Sequence, residues 1–160
     1  MLTIIKKNYK IILTTIGFLI VGFITAFVCE EYYRQFVRHW FKLINKENIQ
    51  FFGKNFHLFA SYKFVYSFGI FSALTFLLIY KTKSVYRFKR LVVTILIFFI
   101  SQFIILTLDS KRLIIECTAC EDGIRKLTYN EITYDKYFIS SLIISIIYLL
   151  TLTIYNKTKF

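Results

Sequence analysis

The chain has 160 residues, 57% of them apolar and 20% aromatic, with no proline and a formal net charge of +12. Apolar weight without a helix breaker points to long, uninterrupted helices. The charge alone would suit a nucleic-acid binder, but its placement along the chain argues against that class.

Four apolar stretches, residues 11–29, 58–80, 91–108 and 137–155, run 18 to 23 residues each. A bilayer core of about 30 Å takes about 20 helical residues at a rise of about 1.5 Å. Only Lys63 interrupts them, near one end of the second stretch, where a long side chain snorkels to the interface. A soluble bundle would show a polar face on every turn, and none of the four does. The expected fold class is all-α: a four-span transmembrane helical bundle forming one integral membrane domain over residues 1–160. Outer segments are expected at 30–57 and 109–136.

With the N-terminus inside, the inner segments hold Lys6, Lys7, Lys10, Lys81, Lys83, Arg87, Lys89, Arg90, Lys157 and Lys159. All 9 acidic residues fall in the outer segments. The short inner segments are therefore densely basic, which places both chain ends in the cytoplasm (N-in/C-in). The basic excess reads as a topology signal and as affinity for anionic lipid headgroups.

In chain order, the basic residues 1–10 and the run behind them have the outline of a signal peptide. The run is long for one, and Val28 and Cys29 stand where a small-residue cleavage site belongs. Phe27 and Val28 are also too bulky for lipid attachment at Cys29 after cleavage. The expectation is an uncleaved first span.

The segment that follows has helical periodicity. Tyr33, Phe36, Val37, Trp40, Phe41 and Ile44 fall on one face, with Arg34, Gln35, Arg38, His39, Lys42 and Asn45 on the other. Two readings fit equally: an interfacial amphipathic helix anchoring in the headgroup plane, or a stripe packed on the ends of the spans. Residues 48–57 show no period, and Gly53 marks a turn.

The short connection at 81–90 predicts that the second and third helices are antiparallel neighbours. The third carries Ser101 and Gln102. An amide in hydrocarbon needs an interhelical partner, worth about 0.6 to 2 kcal/mol, and packing glue is preferred to a pore lining. Small residues four apart occur as Gly22 and Ala26, Gly69 and Ala73, and Ser141 and Ser145. Such pairs let helix backbones approach, within a compact bundle or a homo-oligomer.

The segment 109–136 holds the sharpest local feature, Cys117-Thr118-Ala119-Cys120. Residues 112–116 and 124–129 read as two short strands around an Asp122-Gly123 turn, a hairpin on the outer face with the cysteines near its tip. Thr128 and Glu131 have capping-box spacing and are expected to start a short helix. A loop-stapling disulfide between Cys117 and Cys120 leads, with redox exchange, to which Cys29 would couple, and metal binding behind it. Unbonded cysteines also remain open. A quinone-reducing membrane thiol oxidoreductase needs two cysteine pairs and a quinone pocket, against one pair and a single cysteine here. For zinc the available set is Cys117, Cys120, His39 and His57, without the spacing of a standard zinc module. His39 reads more simply as part of the cationic face, and His57 as an interfacial residue.

No Gly-rich phosphate loop, H-E-x-x-H or G-x-S-x-G occurs. Ionisable residues inside the spans are nearly absent and no proline breaks a helix, which argues against a secondary transporter. The expected role is a non-catalytic accessory or interaction protein without a cofactor. Its outer cap would contact a protein partner, a second copy or a ligand at the bilayer surface. The rivals are a membrane thiol-disulfide oxidoreductase using Cys117 and Cys120, and a homo-oligomeric pore or membrane-disrupting effector. The Lys-, Ile- and Phe-rich composition suits an AT-rich bacterial genome, so a bacterial plasma (inner) membrane is the expected location.

Overall fold

The computed structural model describes residues 2–45, 49–52, 61–80, 84–115, 124–128 and 131–158; within these the four apolar stretches are helical, the second of them from Tyr62 onward. The elements in order are α1 (Leu2–Asn45), β1 (Ile49–Phe52), α2 (Tyr62–Tyr80), α3 (Ser84–Ile115), β2 (Arg125–Thr128) and α4 (Tyr134–Thr158). Among the described residues, four helices are long and apolar enough to cross a membrane. Their outward sides carry a belt of exposed large apolar residues, among them Ile16, Ile24, Ile70, Ile100 and Ile147. In water such a belt is unfavourable; in lipid it is the solvated face.

Helix α1 is the longest element, with 44 residues and thus a length of about 66 Å. The sequence pattern divides it at Glu30 into a span and a separate amphipathic helix. The backbone does not divide there, because neither glycine nor proline stands at the boundary and side-chain pairs carry the helix across it. Arg34 donates to Glu30 at 2.6 Å, Gln35 Nε2 to Glu31 at 3.4 Å, and Arg38 Nη2 to Glu31 at 3.2 Å. The amphipathic segment is therefore a continuation of α1 and not a separate helix lying in the headgroup plane.

Helix α1 packs on α2 and α3, and α4 packs on both as well, giving the order α1, α2, α4, α3 around the bundle. Phe18 stacks on Phe76 while Glu30 meets Ser61, so α1 and α2 are antiparallel. Tyr33, Phe36 and Trp40 meet Gln102, Phe103 and Thr107 in turn, so α1 and α3 run in the same direction. Helices α2 and α3 were expected to be close neighbours, yet they touch far less than the pairs around the ring. The reason lies in the faces of α2. Gly69 is occupied by α1, and Phe64 stacks on Phe138 of α4 while Phe68 packs at a tilt on the same ring. That leaves α3 on the diagonal.

Close approach of α1 and α2 rests on two glycines. A Cβ added at Gly22 would lie 2.9 Å from Gly69 Cα and 2.9 Å from Ser72 Cβ, and one at Gly69 would meet the Phe23 ring. Ala26, Ala73, Ser141 and Ser145 are all buried as well, so each small-residue pair lies at an interior surface. Across the bundle centre, large rings fill the space between α1 and α4. Phe138 touches Tyr33, Phe64, Phe68 and Phe98, contributed by the other three helices.

One end of the bundle bears a cap in which β1 and β2 pair in parallel, with Ile49 opposite Arg125 and Phe52 opposite Thr128. This sheet amends the all-α expectation. It also replaces the expected hairpin, because residues 112–115 are the last turn of α3 and Arg125–Thr128 pairs with β1 instead. A short apolar run at the end of a span extends the helix more cheaply than it starts a strand, since the helical nucleus is already formed. Ile49 and Leu127 are buried beneath the sheet with Val37, Phe41 and Leu106. Each such side chain contributes about 1.5–3 kcal/mol. Thr128 and Glu131 form a turn, not a helix start. Glu131 Oε1 accepts the Thr128 hydroxyl at 2.8 Å and its N–H at 3.3 Å, and α4 begins only at Tyr134.

Candidate functional site

Polar chemistry concentrates where the apolar spans meet the cap. Glu30 is 4% exposed and Arg34 6%. One Glu30 oxygen accepts Arg34 Nη2 at 2.6 Å and Nε at 2.9 Å; the other accepts the Ser61 backbone N–H at 2.6 Å. That N–H opens α2, so a carboxylate meets the positive end of the helix. The Ser61 hydroxyl donates to Asp135 Oδ2 at 2.9 Å in the first turn of α4. The Arg34 guanidinium lies 4.7 Å over the Tyr134 ring. Three helices are thus joined through one run of charges and hydroxyls.

A second run lies beside it. Gln102 Nε2 donates to the Tyr33 hydroxyl at 2.5 Å, and that hydroxyl lies 3.4 Å from the Tyr134 carbonyl, to which it donates. The Tyr137 hydroxyl donates to Asp109, whose other oxygen pairs with Arg112 at 2.7 Å. Arg125 donates to the Leu113 carbonyl at the end of α3. Ser101 bonds the Phe98 carbonyl at 2.9 Å, and Ser141 and Ser145 bond carbonyls of their own helix at 3.1 and 2.9 Å. These hydroxyls are thus engaged with backbone inside the bundle.

The amphipathic stripe lines the inside of the cap. Val37 and Phe41 are fully buried. The Trp40 ring packs at a tilt on Phe103 at 4.5 Å and donates its indole N–H to Thr107 at 3.3 Å, and Phe36 meets Phe103 edge-on at 5.8 Å. Tyr33 and Ile44 are half-buried. The opposite face of α1 opens on a cleft of about 210 Å³ lined by Gln35, Arg38, His39, Lys42 and Phe51. Lys42 Nζ lies 5.8 Å over the Phe51 ring.

The cysteine and zinc candidates are not brought together among the described residues. Cys117, Cys120 and His57 lie outside those residues. Cys29 is exposed on α1, and His39 is exposed at the cleft. No group of three or more His, Cys, Asp or Glu side chains suited to a metal ion occurs among the described residues.

Sequence reasoning placed Arg34 and Asn45 on the polar face of the amphipathic segment, yet both are buried, and it gave no role to Glu30, Ser61 or Asp135. The available signal was the four-residue spacing of Glu30 and Arg34 on a helical segment; Ser61 and Asp135 join them only through the fold. No protein-family model, curated protein or solved structure matches the chain. Its function therefore has to be read from this geometry.

Proposed function

We propose that the chain is a non-catalytic, multi-pass membrane protein whose cap is a rigid contact surface for a partner or ligand at the membrane surface. The observation that carries this reading is how the buried charges of the cap are used. Glu30, Arg34, Ser61 and Asp135 bond one another and fasten three helices, while Gln35, His39 and Lys42 of α1 are left outward. A site built for turnover keeps an acid, base or nucleophile facing the reacting group. Here the buried groups fix a shape instead, and the outward groups are suited to recognition.

In this reading the cap is on the outer face and both chain ends are cytoplasmic, in keeping with the dense basic charge of the short segments at the opposite end. Purification of the full chain in a gentle detergent is expected to recover a stoichiometric partner. Repeated recovery of the lone chain or of a homo-oligomer would overturn the accessory role. Orientation is read separately. A Ser84→Cys variant with the native cysteines replaced by serine is expected to resist an impermeant thiol reagent in intact cells and to react after lysis. Labelling in intact cells would reverse the topology.

A further inference from the structure

We propose that the cleft formed by Gln35, Arg38, His39, Lys42 and Phe51 holds the phosphate of an anionic phospholipid headgroup. This rests on reading the cap as a contact surface at the membrane, and it names the ligand.

Height comes first. Phe36 meets Phe103 and Trp40 meets Thr107, so the turn of α1 bearing Arg38 and His39 lies level with residues 103–107 of α3. On α3 the exposed apolar belt continues through Ile104 and Leu108, and exposed Lys111 and Arg112 follow within one turn. The cleft thus spans the last turn of that belt, with Lys42 reaching the change from apolar to charged surface. That change marks the headgroup layer, about 5–7 Å thick on each side of the hydrocarbon.

The donors come next. Gln35, Arg38, His39 and Lys42 follow helical three- and four-residue spacing and line one face of α1. Glu31 accepts from Gln35 at 3.4 Å and from Arg38 at 3.2 Å, which orients both side chains beside the cleft and offsets one positive charge. Arg38 and Lys42 against Glu31 leave a single positive charge, which matches a phosphodiester monoanion better than a phosphate dianion. His39 adds a ring donor. Phe51, under the Lys42 ammonium, gives the cleft an apolar wall on which glycerol carbons can rest.

The test uses the full chain, purified in neutral detergent and equilibrated with equimolar phosphatidylglycerol and phosphatidylcholine, with retained lipids counted by mass spectrometry. Wild type is expected to retain phosphatidylglycerol in preference. Lys42→Gln should lower that preference about fivefold, and Lys42→Glu further. Lys111→Gln, which lies outside the cleft, should leave it unchanged. Circular dichroism and elution volume establish that each variant is folded. Equal retention by wild type and both Lys42 variants would overturn the headgroup site, as would an equal loss in Lys111→Gln. Displacement of the lipid by millimolar inorganic phosphate would assign the cleft to a soluble anion and likewise overturn the proposal. Partner recovery in gentle detergent is scored independently, so failure here leaves the contact role of the cap standing.

Discussion

Glu30 Oε2 accepts the Ser61 backbone N–H at 2.6 Å, so a carboxylate of α1 closes the N-terminus of α2. The other oxygen of the same carboxylate holds Arg34, itself 6% exposed. Removing one partner strands the other in a poorly solvated place. Glu30→Ala is therefore expected to cost about 3–5 kcal/mol of stability, read as a lowered unfolding midpoint in detergent. Glu30→Met combined with Arg34→Met should recover most of that loss. A single variant within about 1 kcal/mol of wild type would show that this pair does not hold the junction.

The glycines of α1 separate two effects. At Gly22 an added side chain meets Gly69 and Ser72 at 2.9 Å, whereas at Gly17 nothing lies within 4 Å. Gly22→Leu is expected to push α1 off α2 and destabilise by about 1–3 kcal/mol or more. Gly17→Ala should be neutral or stabilising by up to about 1 kcal/mol, through helix propensity alone. Thermal unfolding of both variants in the same nanodisc makes the comparison, and equal effects would contradict the crossing point.

Tyr33 and Gln102 are expected to behave as one unit. Tyr33→Phe and Gln102→Leu should each cost about 0.6–2 kcal/mol. The double variant should fall short of their sum, because either change alone already removes the shared bond. Strict additivity in a double-mutant cycle would mean that the 2.5 Å contact contributes nothing.

Gln50 and Lys126 are direct partners in the parallel ladder, and both are exposed. With the native cysteines replaced by serine, Gln50→Cys and Lys126→Cys together should form a disulfide under mild oxidation, since ladder partners fall within bonding range. Cross-linking of Lys126→Cys to a cysteine at Leu113, with none at Gln50, would restore the hairpin expected from sequence.

The spans were legible because length and hydropathy suffice to find them, and the small-residue pairs because close helix contact admits few alternatives. The need of Gln102 for a partner follows from its chemistry, but the identity of that partner does not. Tyr33 is far away in sequence and lies on a segment whose pattern reads as detached from the first span. The break assigned at Glu30 came from a change in polarity, which says nothing about whether the backbone continues. The pairing of Ile49–Phe52 with Arg125–Thr128 was out of reach for a different reason. Two four-residue strands carry little period, and what joins them is the arrangement of α1 and α3 beneath. Of the polar junction, only the Glu30 and Arg34 spacing was visible.

The unbroken course of α1 makes it a lever. Glu30, Glu31, Arg34 and Arg38 stiffen the place where a joint would otherwise form. Bending at that place is thereby disfavoured, which leaves tilt of the whole rod among the ways a change in bilayer thickness can be met. Any tilt about mid-membrane would then carry Arg38 and Lys42, at its far end, sideways with it.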